Sequence, residues 1–190
     1  MSYKGTKFKT KFLSKDTINH EKIGELKKWS RKFHELNLAP SYEGGSFGNL
    51  SFRTNENEFI ITASNSSLEN SNHETLVRVV SCDIANNIVE VHGVKEPSSE
   101  ALLHYSIYQA NPNINAIFHG HSNKILENSN KFNIPITEKE QPYGTKELSQ
   151  SVLEILDKGN LLIMKNHGFL ALGNNMNNAG KLAIQYLEKC

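Results

Sequence analysis

The chain has 190 residues, 37% of them hydrophobic and 22% charged, with a formal net charge of +1. That length and balance fit a single globular domain with a full core and give no strong field to recruit nucleic acid or an anionic membrane. No apolar run approaches the ~20 residues that span a bilayer, the N-terminal lysines lack the apolar stretch of a secretory signal, and Cys82 and Cys190 form no Cys-x-x-Cys pair, so a cytoplasmic protein is expected.

Lys4, Lys7, Lys9, Lys11 and Lys15 all precede the first acid, Asp16. Residues 1–17 therefore read as a basic, partly flexible N-terminal arm, solvated at its end. Ile23, Leu26, Trp29, Phe33 and Leu36 then recur at three- and four-residue steps. This spacing predicts an amphipathic helix over about residues 20–36, ended by Asn37 and Pro40. Gly44, Gly45 and Gly48 precede an alternating segment, Asn49-Leu50-Ser51-Phe52-Arg53. Glycines there would let backbone N–H groups approach an anion, although the same spacing fits a plain turn before a strand.

Residues 58–62 read as a hairpin partner of that strand, followed by the polar loop Ala63-Ser64-Asn65-Ser66-Ser67. A second hairpin joins residues 76–83 and 88–92 across Asn86-Asn87, a favoured turn pair. Four strands and one helix before residue 95 predict a largely antiparallel sheet rather than a repeated βαβ wind. Lys95-Glu96-Pro97-Ser98-Ser99-Glu100-Ala101 opens a helix that runs to Ala110. Ser98 suits an N-cap and Glu100 the first turn. The same helix start could hold a phosphate, with Glu100 moving protons.

Asn115-Ala116-Ile117-Phe118-His119-Gly120-His121-Ser122 follows. In a strand, His119 and His121 share one face with Cα atoms about 6.6 Å apart, which suits two imidazoles closing on one metal ion. A helix is predicted over about residues 145–156. A buried strand over residues 161–165 leads into Asn166-His167-Gly168 and a further apolar strand. His167, held in that bend, fits a third ligand or a hydrogen-bonded core histidine. His104 lies one turn after Glu100 and is placed to hydrogen-bond near the same site. A last helix is predicted over residues 176–188.

Gly48-Asn49-Leu50-Ser51-Phe52-Arg53, Thr62-Ala63-Ser64, Pro97-Ser98-Ser99-Glu100, Ile117-Phe118-His119-Gly120-His121-Ser122 and Asn166-His167-Gly168 occur in that order. As an ordered set they resemble the class II aldolase/adducin family, over roughly residues 20–187. The resemblance implies a three-layer α/β/α fold around a central, mainly antiparallel sheet. It implies a divalent metal, usually zinc, and commonly a homotetramer with sites at subunit interfaces. On matching positions, His119, His121 and His167 look like the metal ligands, and Glu100 looks like an acid that can touch the metal and act as base or acid. Gly48, Asn49, Ser64, Ser98 and Ser99 match positions that hold a substrate phosphate.

The implied activity is that of a metal-dependent lyase of aldolase type on a small phosphorylated keto sugar, through a metal-stabilised enediolate. Mn²⁺ or Co²⁺ could replace Zn²⁺. A 4-epimerase or dehydratase on the same scaffold, or a non-catalytic adducin-like assembly module, are the alternatives. The sequence departs from the family pattern in three places. Asn65 stands where glycine is common, which requires φ > 0. The segment from His121 to Gly144 is short, and the family's proton-donating tyrosine has no clear match, leaving Tyr143 as a stand-in from a neighbouring subunit. A C-terminal tail over the site is also not expected.

Overall fold

Alternating side chains along a few short strands decide where everything else packs. In the computed structural model, which describes residues 5–190, ten strands and five helices form. They are β1 (Lys9–Ser14), α1 (Ile23–Glu35), β2 (Ser41–Tyr42), β3 (Gly45–Ser46), β4 (Asn49–Arg53), β5 (Phe59–Thr62), β6 (Leu76–Asp83), β7 (Ile88–His92), α2 (Ala101–Ala110), β8 (Ala116–Gly120), α3 (Asn123–Glu127), α4 (Lys146–Leu153), β9 (Leu161–Met164), β10 (Gly168–Gly173) and α5 (Met176–Lys189).

Eight strands make one sheet in the order β1-β7-β6-β5-β4-β8-β10-β9, and β2 and β3 form a separate small hairpin. Each neighbouring pair in the large sheet is antiparallel except β1 with β7, which is parallel. The fold is thus mixed α/β with a mostly antiparallel sheet.

Alternation sends Leu50 and Phe52 of β4, with Ala116 and Phe118 of β8, into a core that also holds Ile23, Leu26 and Phe33 of α1, Ile125 of α3 and Ala179 and Ala183 of α5. Ile117 of β8, with Ile61, Val77, Val79, Leu162, Met164, Leu170 and Leu172, joins a second core with Leu102, Leu103 and Ile107 of α2 and Leu148 and Val152 of α4. Each fully buried side chain of this size contributes about 1.5–3 kcal/mol of transfer free energy. Edge-on packing of Phe33 against Phe118 (centroids 5.4 Å apart, planes at 88°) fixes α1 on the sheet. Gly180 of α5 leaves room for the Trp29 ring of α1, which a Cβ there would strike.

The structure differs from the sequence expectation at several elements. Among the described residues seven strands, not four, precede residue 95. β2 and β3 are too short to show a period. Within the presumed arm, Lys9–Ser14 forms the edge strand β1, while Lys4 lies outside the described residues. Its lysines guard that edge in the manner of edge strands generally: Lys9 and Lys11 are exposed while Thr10 and Phe12 are half-buried, and Phe8 just before them is buried in the second core. Helix α1 begins later than predicted but stops as expected. Asn37 adopts φ 53°, and Leu38 N–H reaches Phe33 O (2.8 Å) while Asn37 N–H reaches His34 O (2.9 Å), a Schellman stop. Helix α3, capped by Ser122 Oγ accepting from Ile125 N–H, was not foreseen.

Candidate metal centre

The site gathers at one end of the sheet from β4, β8, the start of α2 and the turn between β9 and β10. Asn49 faces His119 directly in the β4–β8 register, and Leu170 flanks His119 on the other side. Ile117, His119 and His121 alternate onto the α2 face, so the imidazoles continue the line that a core isoleucine begins. The Leu38 carbonyl beyond α1 accepts the His121 N–H at 2.8 Å, which ties the helix stop to the second histidine. A Cβ on Gly120 would meet the Phe169 ring at 2.5 Å and Leu38 O at 2.8 Å; glycine lets the strand lie this close.

His167 comes from the β9–β10 turn. Asn166 before it has φ 56°, and the His167 N–H closes the turn on Met164 O at 3.0 Å. Gly168 after it is equally constrained, since a Cβ would meet Gly120 O at 2.5 Å and His119 Cε1 at 2.7 Å.

The three rings converge. Centroids of His119 and His121 are 4.7 Å apart, of His119 and His167 5.0 Å, and of His121 and His167 5.3 Å. One nitrogen from each lies within 4.8 Å of the others, and the Nε2 atoms of His119 and His121 are 3.0 Å apart. Glu100 completes the group, with Oε2 3.2 Å from His119 Nε2 and Oε1 3.3 Å from His167 Nε2. His119 Nδ1 lies 2.9 Å from the Phe169 carbonyl, so that nitrogen carries the proton and Nε2 keeps its lone pair.

Burial pushes the His119 imidazolium down to about 3, and the neighbouring His167 pushes the same way. Burial first, then His119 and His167, bring His121 down to about 3, against the pull of Glu100. These rings are neutral at pH 7 and offer lone pairs rather than protons. Glu100 is 3% exposed, yet its Oε1 lacks a hydrogen bond. A buried carboxylate oxygen without a donor asks for a cation. The His119, His121 and His167 imidazoles and one such carboxylate fit Zn²⁺ or a similar divalent ion, with coordination left over for substrate.

Glu100 itself stands at the N-cap position of α2, not in the first turn. Ser98 does not cap the helix by the expected bond; its Oγ instead accepts the Glu100 N–H at 3.3 Å. The residues matched to phosphate binding lie around the same corner. Ser98 N–H donates to Thr62 O (3.1 Å) and Ser64 N–H to Glu96 O (3.0 Å), and Thr62 Oγ1 accepts from Leu50 N–H (3.2 Å). Gly48 has φ +94°, and a Cβ there would meet His119 O at 2.7 Å. Ser99 Oγ donates to Gly5 O at 3.4 Å. Asn65 has φ 49°, the condition under which asparagine replaces glycine.

Asn49 does something the sequence did not suggest: its Nδ2 donates to Glu100 Oε2 at 2.8 Å. The packing of the start of α2 against β4 puts it there, and no local pattern signals it. Tyr143 carries the Lys7 ammonium over its ring at 4.3 Å. Behind Glu100, Ser51 Oγ lies 2.7 Å from both His104 Nδ1 and the Tyr108 hydroxyl. Burial pushes His104 down to about 3.

A mostly antiparallel sheet that ends in three histidines and a carboxylate could hold a metal ion in a mixed α/β fold. Residues 25–190 match the family model described as Class II Aldolase and Adducin N-terminal domain, and the chain belongs to that family. An L-fuculose phosphate aldolase of Methanococcus vannielii is 31% identical over 169 residues, covering 82% of this chain and 87% of that protein. A 3-oxo-tetronate 4-phosphate decarboxylase of Haemophilus influenzae is 27% identical over 165 residues, covering 77% and 74%. The solved structure of an L-fuculose 1-phosphate aldolase superposes with a TM-score of 0.73 at 27% identity, over 92% of this chain and 84% of that one.

Proposed function

We propose that the chain is a divalent-metal-dependent lyase of aldolase type that cleaves a small phosphorylated keto sugar. The observation that carries this reading is the convergence of His119, His121 and His167 on a buried carboxylate whose Oε1 accepts no hydrogen bond. When bound, a divalent ion such as Zn²⁺, Mn²⁺ or Co²⁺ supplies Lewis acidity toward a carbonyl oxygen. The three histidines would hold it as neutral donors, and Glu100 would touch it on one side. Glu100 would also carry the proton to or from the carbon beside the substrate carbonyl, its carboxylate oriented by the Asn49 amide. Gly48, Asn49, Ser64, Ser98 and Ser99 would hold the phosphate, so that binding remote from the reacting carbon orients it.

The decarboxylase relative supports a second reading. Retro-aldol cleavage and decarboxylation of a 3-oxo acid both break a carbon–carbon bond and leave an electron pair on the carbon next to a carbonyl. The same residues serve either. The proposal also takes residues 1–190 as one domain, with the sheet between two helical layers, working as a cytoplasmic homotetramer; the family resemblance supports this, and light scattering tests the assembly.

The reaction is tested with a panel of keto-sugar phosphates and a 3-oxo acid phosphate, with and without added Zn²⁺, Mn²⁺ or Co²⁺. Aldehyde release, CO₂ release, epimerisation and dehydration are followed separately. Metal-dependent aldehyde release is expected. CO₂ release alone selects the second reading, and no turnover in any arm overturns both.

A further inference from the structure

His119 and His121 stand side by side in the cluster but are anchored differently. The His119 ring is buried, and its Nδ1 lies 2.9 Å from the Phe169 carbonyl. This is the outer hydrogen bond that orients most metal-binding imidazoles. Among the described residues, His121 Nδ1 has no such partner. The hydrogen-bond-range contact of its ring is Nε2 to His119 Nε2, at 3.0 Å. The backbone N–H of His121 is tied to Leu38 O, which leaves χ1 and χ2 of this half-buried side chain to be set by packing.

Three rings pack on His121 among the described residues. Two of them, His119 and His167, belong to the cluster itself. The third is Phe47, with centroids 5.6 Å apart and planes at 49°. Phe47 follows β3, and the β2–β3 hairpin holds it. Its N–H donates to Pro40 O at 2.8 Å. The Tyr42 ring packs on it with centroids 4.8 Å apart, and the Tyr42 hydroxyl donates to Asn65 Oδ1 at 3.2 Å. Gly45 seats that ring, since a Cβ there would meet Tyr42 Oη at 2.8 Å and Cζ at 2.9 Å. Ser46 Oγ accepts the Leu68 N–H at 3.2 Å. These contacts tie the hairpin, which is separate from the eight-stranded sheet, to residues 65–68 on one side and to His121 on the other.

We infer that Phe47 is a positioning residue for His121: the β2–β3 hairpin, through Tyr42, keeps the Phe47 ring against the imidazole, and ring packing sets the orientation that a hydrogen bond sets for His119. Tilted aromatic contacts at this separation are favourable, so the pair restricts the imidazole without a polar partner. This rests on the reading of the three histidines as metal ligands and adds a residue to it. Phe47 and Tyr42 belong to neither hydrophobic core, so their place beside His121 is not a by-product of core packing. The hairpin thereby gains a task that the sheet does not give it.

The test is the Zn²⁺ affinity of the full chain by chelator competition, with the visible spectrum of the Co²⁺-loaded protein reporting ligand geometry. Phe47→Ala removes the ring and Phe47→Tyr keeps it. Phe47→Ala is expected to bind Zn²⁺ about tenfold more weakly and to shift the Co²⁺ bands, while the urea midpoint of the metal-free protein stays in place. Phe47→Tyr is expected to keep wild-type affinity and bands. Wild-type affinity and bands in Phe47→Ala overturn the inference. So does an equal loss in both variants, or a loss matched by a lower metal-free urea midpoint, which would make the ring a structural support. If Phe47→Ala does not fold, Tyr42→Ala decides: it leaves Phe47 in place without its backing, a shift of the Co²⁺ bands is expected, and unchanged bands overturn the inference. A wild-type protein that binds neither Zn²⁺ nor Co²⁺ overturns the metal reading and this inference with it, a result distinct from a Phe47→Ala variant that binds like the wild type.

Discussion

Glu100 shows how much one side chain gathers here. It closes the start of α2, faces two imidazoles and accepts a hydrogen bond from the Asn49 amide of β4. Glu100→Gln keeps the size and removes the base. It is expected to retain metal while losing about 10²–10⁴-fold in proton exchange beside the carbonyl, read by deuterium uptake into substrate. Loss of metal with an intact fold would make Glu100 mainly a ligand. Gly168 is the corresponding steric constraint. A methyl group there meets Gly120 O and His119 Cε1, so Gly168→Ala should weaken metal binding about tenfold or more by moving His119, as chelator competition would show. At this scale the sequence was informative where chemistry repeats at a fixed step. His-x-His in a strand forces one face, and His167 in a Gly-containing bend has little freedom. The bond from Asn49 to Glu100 was illegible, because it depends on how the start of α2 packs against β4.

Elements with a long period were readable, and elements without one were not. The apolar stripe of α1 and the asparagine that stops it gave the helix and its end. The β6–β7 hairpin matched the strands on either side of Asn86-Asn87. In the β1 segment charge outweighs the weaker alternation of Thr10, Phe12 and Ser14, and a parallel edge partner leaves no local signal, so the sequence points to a solvated arm where the structure has a strand. The two readings of this segment differ in a measurable way. Phe8 is 7% exposed in the core below α2, and Phe8→Ala should destabilise the fold by about 3 kcal/mol in urea unfolding, as truncated core aromatics do. A solvated arm would give no change.

Across the whole molecule, the mostly antiparallel character of the sheet followed from the run of strands and hairpins before residue 95. The sheet's eight-strand extent did not, since short strands carry too few residues for a period. One whole-molecule property follows from the buried histidines. His104, His119 and His121 are each held down to about 3 by burial, against an ordinary 6.5. Below pH 6.5 the unfolded chain takes protons that the folded chain refuses, so stability of the metal-free protein falls as pH drops toward about 3. Between pH 7 and pH 5 the loss should be about 2 kcal/mol for each such ring, seen as a lower urea midpoint. An unchanged midpoint would mean that these rings are not buried in neutral form.

The central claim is that His119, His121, His167 and Glu100 form one metal centre. The most direct measurement is metal content of the purified protein after dialysis, beside a His119→Ala/His121→Ala variant that remains folded by circular dichroism. The account expects close to one divalent ion per chain in the wild type and none in the variant. A wild-type protein that binds no stoichiometric divalent metal, or a variant that binds it equally well, would contradict it.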